Sequence, residues 1–193
     1  MLSTFPDEKE DPRVTRTRGL LEDAFMEVMA DKGFQSVSVK DITDRAGVNR
    51  ATFYAHFSDK YELLDYSIRT QFRQELEKRT LNVCTFSMEN LRALIVTVCE
   101  FISTASSHCK PPSSQFESLM EPQVKAQIQD LVQNWIEKLE TQVEPNIAAT
   151  AASWAIYGLA LDWSRDKKHP PVDEFAEQVL PLVASNLGLT QTA

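Results

Sequence analysis

The sequence has few glycines, few cysteines and no long apolar segment. Five glycines and nine prolines among 193 residues leave room for long, uninterrupted helices. No apolar run is long enough to span a bilayer, and the polar, acidic start MLSTFPDEKEDP lacks the features of a secretory signal. We therefore expect a cytoplasmic protein that makes no contact with a membrane.

Sequence patterns typical of catalytic and metal sites are also missing. The cysteines Cys84, Cys99 and Cys109 are too few and too widely spaced for a disulfide framework or a zinc site. We expect buried free thiols, although Cys109 follows His108 near a loop, where an imidazolium can favour the thiolate. There is no nucleophile elbow, phosphate-binding glycine loop or cofactor fingerprint. We predict that the protein is not an enzyme and that it binds no cofactor or metal.

Negative charge dominates the chain but is unevenly distributed. The formal net charge of −8 argues against nucleic acid as a partner. Residues 1–12 carry one basic against four acidic side chains, residues 13–60 eight against seven, and residues 61–193 eleven against seventeen. The middle segment alone has no net negative charge, so its cations can still form a DNA-binding patch. They include Arg13, Arg16 and Arg18, which are either phosphate contacts or solvated surface residues.

Helical periodicity extends through most of the chain, and no segment alternates like a β-strand. Residues 1–12 are expected to form a disordered acidic tail. Capping residues, glycines and prolines divide the remainder into about nine helices: Pro12 or Arg13–Asp31, Val39–Ala46, Arg50–Phe57, a helix capped by Ser58 that runs to Thr80, Met88–Ser107, Ser114–Met120, Pro122–Val143, Pro145–Lys167 and Val172–Leu187. The predicted fold is all-α, with a three-helix domain over 13–60 and a helical bundle over 61–193.

Residues 38–60, SVKDITDRAGVNRATFYAHFSDK, have the pattern of a helix-turn-helix. Ser38 followed by Asp41 is a capping box for the first helix. Gly47 supplies the turn, because its backbone adopts left-handed conformations easily. Asn49 is expected to cap the second helix, which in this motif enters the major groove of DNA.

The second helix of the motif has one face for the core and one for a ligand. Phe53 and Phe57, four residues apart, are assigned to the core, which leaves the other faces to Arg50, Ala51, Thr52, Tyr54 and His56. Arginine pairs with guanine, and the methyl groups of threonine and alanine contact thymine. Lys60 follows in the first turn of the next helix, where a cation is unfavourable unless a phosphate docks nearby.

The predicted helix Pro145–Lys167 is apolar on nearly all sides, so both of its faces must be covered. In a domain of this size we expect a partner chain to supply the second cover, and a fully internal core helix is the alternative. The residues predicted to contact the partner are Ala148, Ala152, Ala155, Leu159 and Trp163, with Val179 and Leu182 of the last helix.

The segment SVKDITDRAGVNRATFYAHFSDKYELL resembles the DNA-binding domain of the TetR/AcrR family of bacterial repressors. The resemblance covers about residues 15–66, including the preceding helix end KGF. It implies a two-fold dimer on double-stranded, palindromic operator DNA, with dimer contacts from the last two long helices. The positions that commonly touch DNA in the family correspond to Lys40, Arg50, Thr52, Tyr54, His56 and Lys60. At the positions of Arg50 and Ala51 the residue varies among family members, and this variation selects the operator sequence.

The resemblance also implies that a small-molecule effector enters the second domain and releases the DNA. Candidate pocket residues are Phe101, His108, Phe116, Met120, Trp135, Trp154 and Tyr157, although each aromatic also fits a role in the core. An apolar pocket of this kind favours a hydrophobic or aromatic effector. We predict a ligand-responsive repressor, and the alternative is a relative that acts through protein contacts without binding an operator.

Overall fold

The computed structural model describes residues 11–79, 85–108 and 114–188, and only the backbone of 106–108 and 114–117. In this part of the chain there are eight α-helices and one 3₁₀ turn, without a β-strand, which confirms the all-α prediction. In order, the elements are α1 (Pro12–Lys32), the 3₁₀ turn (Phe34–Ser36), α2 (Val39–Ala46), α3 (Arg50–Tyr54), α4 (Lys60–Glu77), α5 (Met88–His108), α6 (Ser114–Ile136), α7 (Pro145–Arg165) and α8 (Val172–Ser185).

The predicted acidic tail lies outside the described residues except for its last two positions. Pro12 begins α1, and the Asp11 carboxylate accepts a hydrogen bond from the amide of Arg13 at 2.9 Å. None of the helices described is both long and apolar enough to cross a bilayer.

The described helices number eight rather than nine because Pro122 does not separate two helices. α6 continues through Pro122, although proline has no N–H for the helical hydrogen bond. Met120 and Val124 lie on one face of α6 on either side of it, and both are fully buried. Their packing favours one continuous helix. α6 then ends at Ile136 rather than at the predicted Val143, and Leu139, three residues beyond its end, is exposed.

α3 is shorter than predicted, ending at Tyr54 rather than at Phe57. The amide of His56 donates to the carbonyl of Phe53, three residues earlier, at 2.9 Å. This tighter bonding is common where an α-helix ends, and it turns the chain towards α4.

α4 begins one residue later than predicted, since Asp59 rather than Ser58 is its N-cap. The Asp59 carboxylate accepts hydrogen bonds from the amides of Tyr61 at 2.8 Å and Glu62 at 2.9 Å. The Glu62 carboxylate in turn accepts from the amide of Ser58 at 2.6 Å, which lowers the pKa of Glu62. The start of α4 therefore already holds a carboxylate, in the place where the sequence suggested a phosphate.

The described residues divide into two compact units, and the division falls within α4. The N-terminal unit contains residues 11–67, and residues 108 and 114–116 group with it. The C-terminal unit contains residues 68–79, 85–107 and 117–188. From the sequence the domain boundary was expected at residue 60, at the beginning of α4.

The core of the N-terminal unit forms around α1. The buried side chains of α1 recur at three- and four-residue spacing, as expected for one face of a helix: Leu21, Ala24, Phe25, Val28 and Met29. Leu20, the residue before Leu21, is exposed. The other elements contribute buried Phe34, Ile42, Phe53, Phe57, Leu63 and Leu64.

The core of the C-terminal unit is larger and almost wholly apolar. Its fully buried side chains come from five helices, α4 to α8, and include Phe72, Leu91, Leu94, Ile102, Val124, Ile128, Trp135, Ala152 and Val183. Cys99 also lies in this core as a free thiol, and burial raises its pKa to about 12. This confirms the expectation of a buried thiol for Cys99, whereas Cys84 and Cys109 lie outside the described residues.

Candidate nucleic-acid interface

The first helix of the predicted motif has the bounds and the cap that the sequence predicts. The Ser38 hydroxyl accepts from the amide of Asp41 at 3.3 Å, and the Asp41 carboxylate accepts from the amide of Ser38 at 2.8 Å. Lys32 pairs with Asp41 at 2.7 Å. The hydrogen bonds from Lys32 and then Ser38 hold the pKa of Asp41 well below its usual range. The start of α2 is thus fixed by both a cap and an ion pair.

A second ion-pair cluster joins α2 to α1. Arg45 near the end of α2 pairs with Glu27 at 2.7 Å and with Asp31 at 3.1 Å. These two acids are four residues apart and so lie on one face of α1. That spacing was the available signal for the pairing, which the sequence analysis missed.

The turn between α2 and α3 depends on glycine and asparagine. Gly47 has φ 67° and ψ 29°, a left-handed conformation that costs little only for residues such as glycine. The Asn49 side chain then accepts from the amide of Thr52 at 2.7 Å and from its hydroxyl at 3.0 Å. Asn49 therefore caps α3, as predicted.

α3 has one buried face and one exposed face. Phe53 and Phe57 are buried, with ring centroids 6.0 Å apart, which confirms their assignment to the core. The opposite surface carries Arg50, Ala51 and Tyr54, all exposed, and Tyr54 has 58% of its surface accessible. The helix-turn-helix therefore presents a cation, a methyl group and a phenol together.

The remaining predicted DNA-binding residues differ in their exposure. Lys40 is exposed in the first turn of α2, whereas Thr52 and His56 are half-buried. The Thr52 hydroxyl is engaged with the Asn49 cap, and the His56 ring lies 6.5 Å from that of Phe57. Contact of these residues with DNA stays a prediction.

Lys60 lies at the predicted position but has protein partners. Its ammonium group donates to the carbonyl oxygens of Phe34 at 3.1 Å, Gln35 at 3.1 Å and Val37 at 2.9 Å. It also lies 4.7 Å from the centroid of the Phe34 ring and 5.7 Å from that of Tyr61. Burial lowers the pKa of Lys60. A lysine in the first turn of a helix indicates a specific partner. The sequence predicts a phosphate, whereas the structure gives Lys60 three backbone carbonyl groups.

Several cations of the N-terminal unit are therefore committed to contacts within the unit. Lys32 and Arg45 are in ion pairs, and the Arg18 guanidinium lies 5.5 Å from the centroid of the Tyr66 ring. Within residues 11–67 the basic side chains that are exposed and form no ion pair are Arg13, Arg16, Lys40 and Arg50.

The residues predicted to line an effector pocket do not share one environment. Met120, Trp135 and Tyr157 are buried in the C-terminal unit. Phe101 is half-buried, with its ring 5.4 Å from that of Phe72 in an edge-to-face arrangement. The side chains of His108 and Phe116 lie outside the part of the chain that the structure describes.

Trp154, also predicted for the pocket, lies on the surface of α7 with 61% of its area accessible. The Lys125 ammonium group sits 3.3 Å from the centroid of its ring, and Lys125 also pairs with Glu121 at 2.7 Å. Trp154 therefore lies at the surface of the C-terminal unit rather than in the lining of an enclosed pocket.

The residues predicted for a dimer interface are mostly covered by the chain itself. Ala148, Ala152, Trp163 and Val179 are buried in the C-terminal unit, and Ala155 and Leu159 are half-buried. Leu182 alone among the seven is exposed, with 61% of its surface accessible. These four buried residues have little surface left for contact with a partner. Ala148, Ala152 and Trp163 of α7 and Val179 of α8 are buried within the C-terminal unit.

The opposite face of α7 is the exposed one. Its residues follow helical spacing and are apolar: Ile147, Ala151, Trp154 and Gly158. We call these four residues the α7 stripe. The sequence showed two apolar faces on this helix but did not indicate which one the chain itself covers.

Comparison with known sequences assigns the helix-turn-helix segment to a family. Residues 21–66 match the family of bacterial regulatory proteins called the tetR family. Over 82 residues the chain is 37% identical to YxbF, an uncharacterized HTH-type transcriptional regulator of Bacillus subtilis, covering 39% of this chain and 22% of YxbF. Over 121 residues it is 33% identical to the HTH-type transcriptional activator FasR of Mycolicibacterium smegmatis, covering 61% of this chain and 53% of FasR. The chain thus spans about a fifth and about half of these two relatives.

Solved structures share the helical fold at low sequence identity. A TetR-family regulator from Streptomyces coelicolor has a TM-score of 0.63, covers 96% of this chain and 99% of its own, and is 15% identical. FadR from Bacillus subtilis, solved in complex with stearoyl-CoA, has a TM-score of 0.56, covers 87% and 98%, and is 17% identical. At these identities the likeness concerns the fold alone.

Proposed function

We propose that the chain, whose residues 21–66 match the tetR family of bacterial regulatory proteins, is a dimeric transcriptional regulator of that family that a small, largely hydrophobic effector releases from operator DNA. Proteins of this family are regulators rather than enzymes, so we assign it no catalytic role. We place it in the cytoplasm, together with the operator, which the two-fold symmetry of a dimer would make palindromic.

The exposed face of α3 is the observation that carries the DNA-binding proposal. A capped helix, a left-handed glycine turn and a second capped helix present Arg50, Ala51 and Tyr54 outward, while Phe53 anchors α3 in the core. An exposed arginine can form two hydrogen bonds with one guanine in the major groove. Lys40 and Tyr54 are proposed to hold phosphates on either side, as groups that position the protein without reading sequence.

For the dimer we propose an interface on the α7 stripe together with Leu182. Apolar side chains exposed at helical spacing are typical of a surface that another chain covers. Ile147, Trp154 and Leu182 are each at least 60% accessible, whereas Ala151 and Gly158 are small enough to let another helix approach closely. The C-terminal unit of a second copy is the proposed cover.

For the effector we propose a hydrophobic small molecule bound within the C-terminal unit. The buried side chains of Met120, Trp135 and Tyr157 would give such a site an apolar lining. Stearoyl-CoA, present with Bacillus subtilis FadR, illustrates a ligand of this chemistry on the same fold. α4 begins in the N-terminal unit and ends in the C-terminal unit, so effector binding would shift the population of DNA-competent dimers through it.

Repression is the proposed sense of regulation, although FasR is named as an activator.

The test is selection of genomic fragments by the purified protein, which should enrich a small set that shares an inverted repeat. Arg50→Ala should reduce the preference at one base pair of each half-site by about 1–3 kcal/mol. Arg73→Ala is the control, because Arg73 is an exposed arginine paired with Glu77 in the C-terminal unit, and it should leave the preference unchanged.

Two results would overturn this proposal in different ways. If Arg50→Ala selects the same fragments with the same preference, α3 does not read the bases as described. If the unmodified protein enriches no fragment over bulk DNA, operator binding is excluded. Regulation through protein contacts then takes its place.

A further inference from the structure

Lys60 has the most complete set of partners among the cations described in the N-terminal unit. An ammonium group has three N–H donors, and Lys60 directs its donors to the carbonyl oxygens of Phe34, Gln35 and Val37 at 2.9–3.1 Å. The faces of Phe34 and Tyr61 flank the same charge. Its hydrogen-bonding capacity is therefore used within the unit.

The acceptors are the carbonyls of the 3₁₀ turn and the residues that follow it. Carbonyl groups at the end of a helical turn carry partial negative charge, and the last of them lack intrahelical partners. The Phe34 carbonyl also accepts from the amide of Val37 at 3.2 Å. The Lys60 ammonium group donates hydrogen bonds to these carbonyls. Its attraction to them offsets the unfavourable interaction of a cation with the first turn of α4. Tyr61 supports the arrangement from the other side, because its ring packs edge-to-face on Phe34 with centroids 5.2 Å apart.

The turn that Lys60 holds leads directly into the DNA-binding motif. Val37, the third carbonyl partner, immediately precedes Ser38, the N-cap of α2. Lys40 follows in the first turn of α2. Displacement of residues 34–37 would therefore move the cap of α2 and, through the Gly47 turn, the orientation of α3.

We propose that Lys60 is a positioning residue of the DNA-binding unit, whose ammonium group clamps residues 34–37 and so sets the start of α2, instead of binding a DNA phosphate. The inference rests on the proposed DNA-binding function for its effect on affinity. The clamp itself exists without DNA. A phosphate contact would require Lys60 to leave three carbonyl groups that no other described cation replaces.

The test compares Lys60→Met with Lys40→Met. Both changes remove one positive charge and keep an unbranched apolar side chain, but Lys40 is exposed and forms no ion pair within residues 11–79. DNA affinity is measured as a function of salt concentration for each variant, with the fragment selected by the unmodified protein or with bulk duplex DNA. Amide hydrogen exchange of residues 34–41 is measured in the absence of DNA.

A clamp predicts opposite results for the two lysines. Lys60→Met should lower affinity by roughly tenfold at every salt concentration without changing the slope of log K against log[salt], because no phosphate contact is lost. Exchange at residues 34–41 should accelerate by roughly tenfold, while amides in the middle of α1 should keep their rates. Lys40→Met should reduce the magnitude of the slope by about 0.9 and leave the exchange unchanged.

Lys60→Arg separates position from charge and serves if Lys60→Met does not fold. A planar guanidinium keeps the charge but cannot direct three donors to three converging carbonyls, so the clamp predicts fast exchange and weak DNA binding. The proposal is overturned if Lys60→Arg restores affinity, or if Lys60→Met reduces the magnitude of the slope by about 0.9 with unchanged exchange. If the unmodified protein binds no DNA, the proposed function fails, and exchange at residues 34–41 still decides whether the clamp exists.

Discussion

The N-terminal and C-terminal units both bury apolar cores, but they differ in how strongly polar side chains fix the backbone. In the N-terminal unit, polar side chains fix the backbone at defined points, as in the Ser38–Asp41 cap, the Asn49–Thr52 cap and the Lys60 clamp. In the C-terminal unit, large apolar side chains such as Trp135, Leu94 and Ile102 are fully buried. The N-terminal unit thus adds directed hydrogen bonds around its short helices to an apolar core, whereas the C-terminal unit removes more apolar surface from water.

This difference has a functional meaning under the proposed mechanism. A surface that fits the major groove needs helices held at a defined angle, and directed bonds supply that. A site for a hydrophobic effector needs apolar surface that can repack around a ligand. The largest effect of a single substitution is therefore expected in the apolar core of the C-terminal unit.

Leu131→Ala and Leu139→Ala measure that effect on two leucines from the same stretch of sequence. Leu131 is buried in α6, so its truncation should lower the free energy of unfolding by about 2–5 kcal/mol. Leu139 lies beyond the end of α6 and is exposed, so the same change should cost about 0.5 kcal/mol or less. Urea titration of both variants gives the two values.

Similar losses for the two leucines would contradict the position at which α6 ends. A helix that continued to Val143, as the sequence predicts, would place both leucines on one face, because they are eight residues apart. The pair therefore decides between that prediction and the structure. A large cost at Leu139 would mean that α6 continues beyond Ile136 or that another element covers this residue.

The second comparison uses two strongly exposed aromatic residues, one from each unit. Trp154 and Tyr54 have 61% and 58% of their surfaces accessible. In the proposed interface Trp154→Ala should raise the dimer dissociation constant by roughly 30-fold, about 2 kcal/mol. Tyr54→Ala should leave that constant unchanged and weaken DNA binding by about 1 kcal/mol through loss of a phosphate contact. Sedimentation gives the first quantity, and titration with operator DNA gives the second.

Equal dimer dissociation constants for the unmodified protein and Trp154→Ala would show that the α7 stripe is not part of the interface. Sedimentation of the unmodified protein as a monomer at micromolar concentration would remove the dimer altogether. A change in dimerisation caused by Tyr54→Ala would mean that the two exposed surfaces are not independent.

The sequence predicted the N-terminal elements well because their signals are short and polar. Ser38 with Asp41, Gly47 and Asn49 each act on the backbone within four residues, so their effects can be read without the rest of the fold. Helix type was equally clear in the C-terminal unit. Pro122 misled the prediction because buried neighbours on both sides of it outweigh its local effect.

The residues that come together from distant parts of the chain could not be predicted from the sequence in the same way. The charge of Lys60 indicated an anion-like partner, but a carbonyl cluster and a phosphate impose the same requirement on a nearby cation. In α7, apolar residues cover both faces, so periodicity alone does not show which face the chain buries. Those assignments depend on contacts between elements far apart in sequence.

The smallest expected effect concerns the caps, where the two units can be compared directly. Ser38→Ala removes the α2 cap and should lower the free energy of unfolding by about 1 kcal/mol. Ser87 accepts from the amide of Asn90 at 3.0 Å at the start of α5, and Ser87→Ala is the control from the C-terminal unit. Ser38 has a reciprocal partner in Asp41, so its replacement should cost more than that of Ser87. A larger loss at Ser87, measured by urea titration, would contradict the contrast between the units.

The pH dependence of the same cap gives a second measurement. The pKa of Asp41 is lowered in the folded protein, chiefly by Lys32 and then by Ser38. The unfolded chain therefore takes up the proton first as the pH falls. The stabilisation is fully present above the ordinary pKa of an aspartate, near 3.8, and is lost as the pH decreases further. Asp41→Asn should flatten the decline in stability as the pH falls below about 4, whereas Asp44→Asn, an exposed change in the same helix, should leave it in place. An unchanged decline in Asp41→Asn would mean that the cap and its lysine do not stabilise the folded unit through this carboxylate.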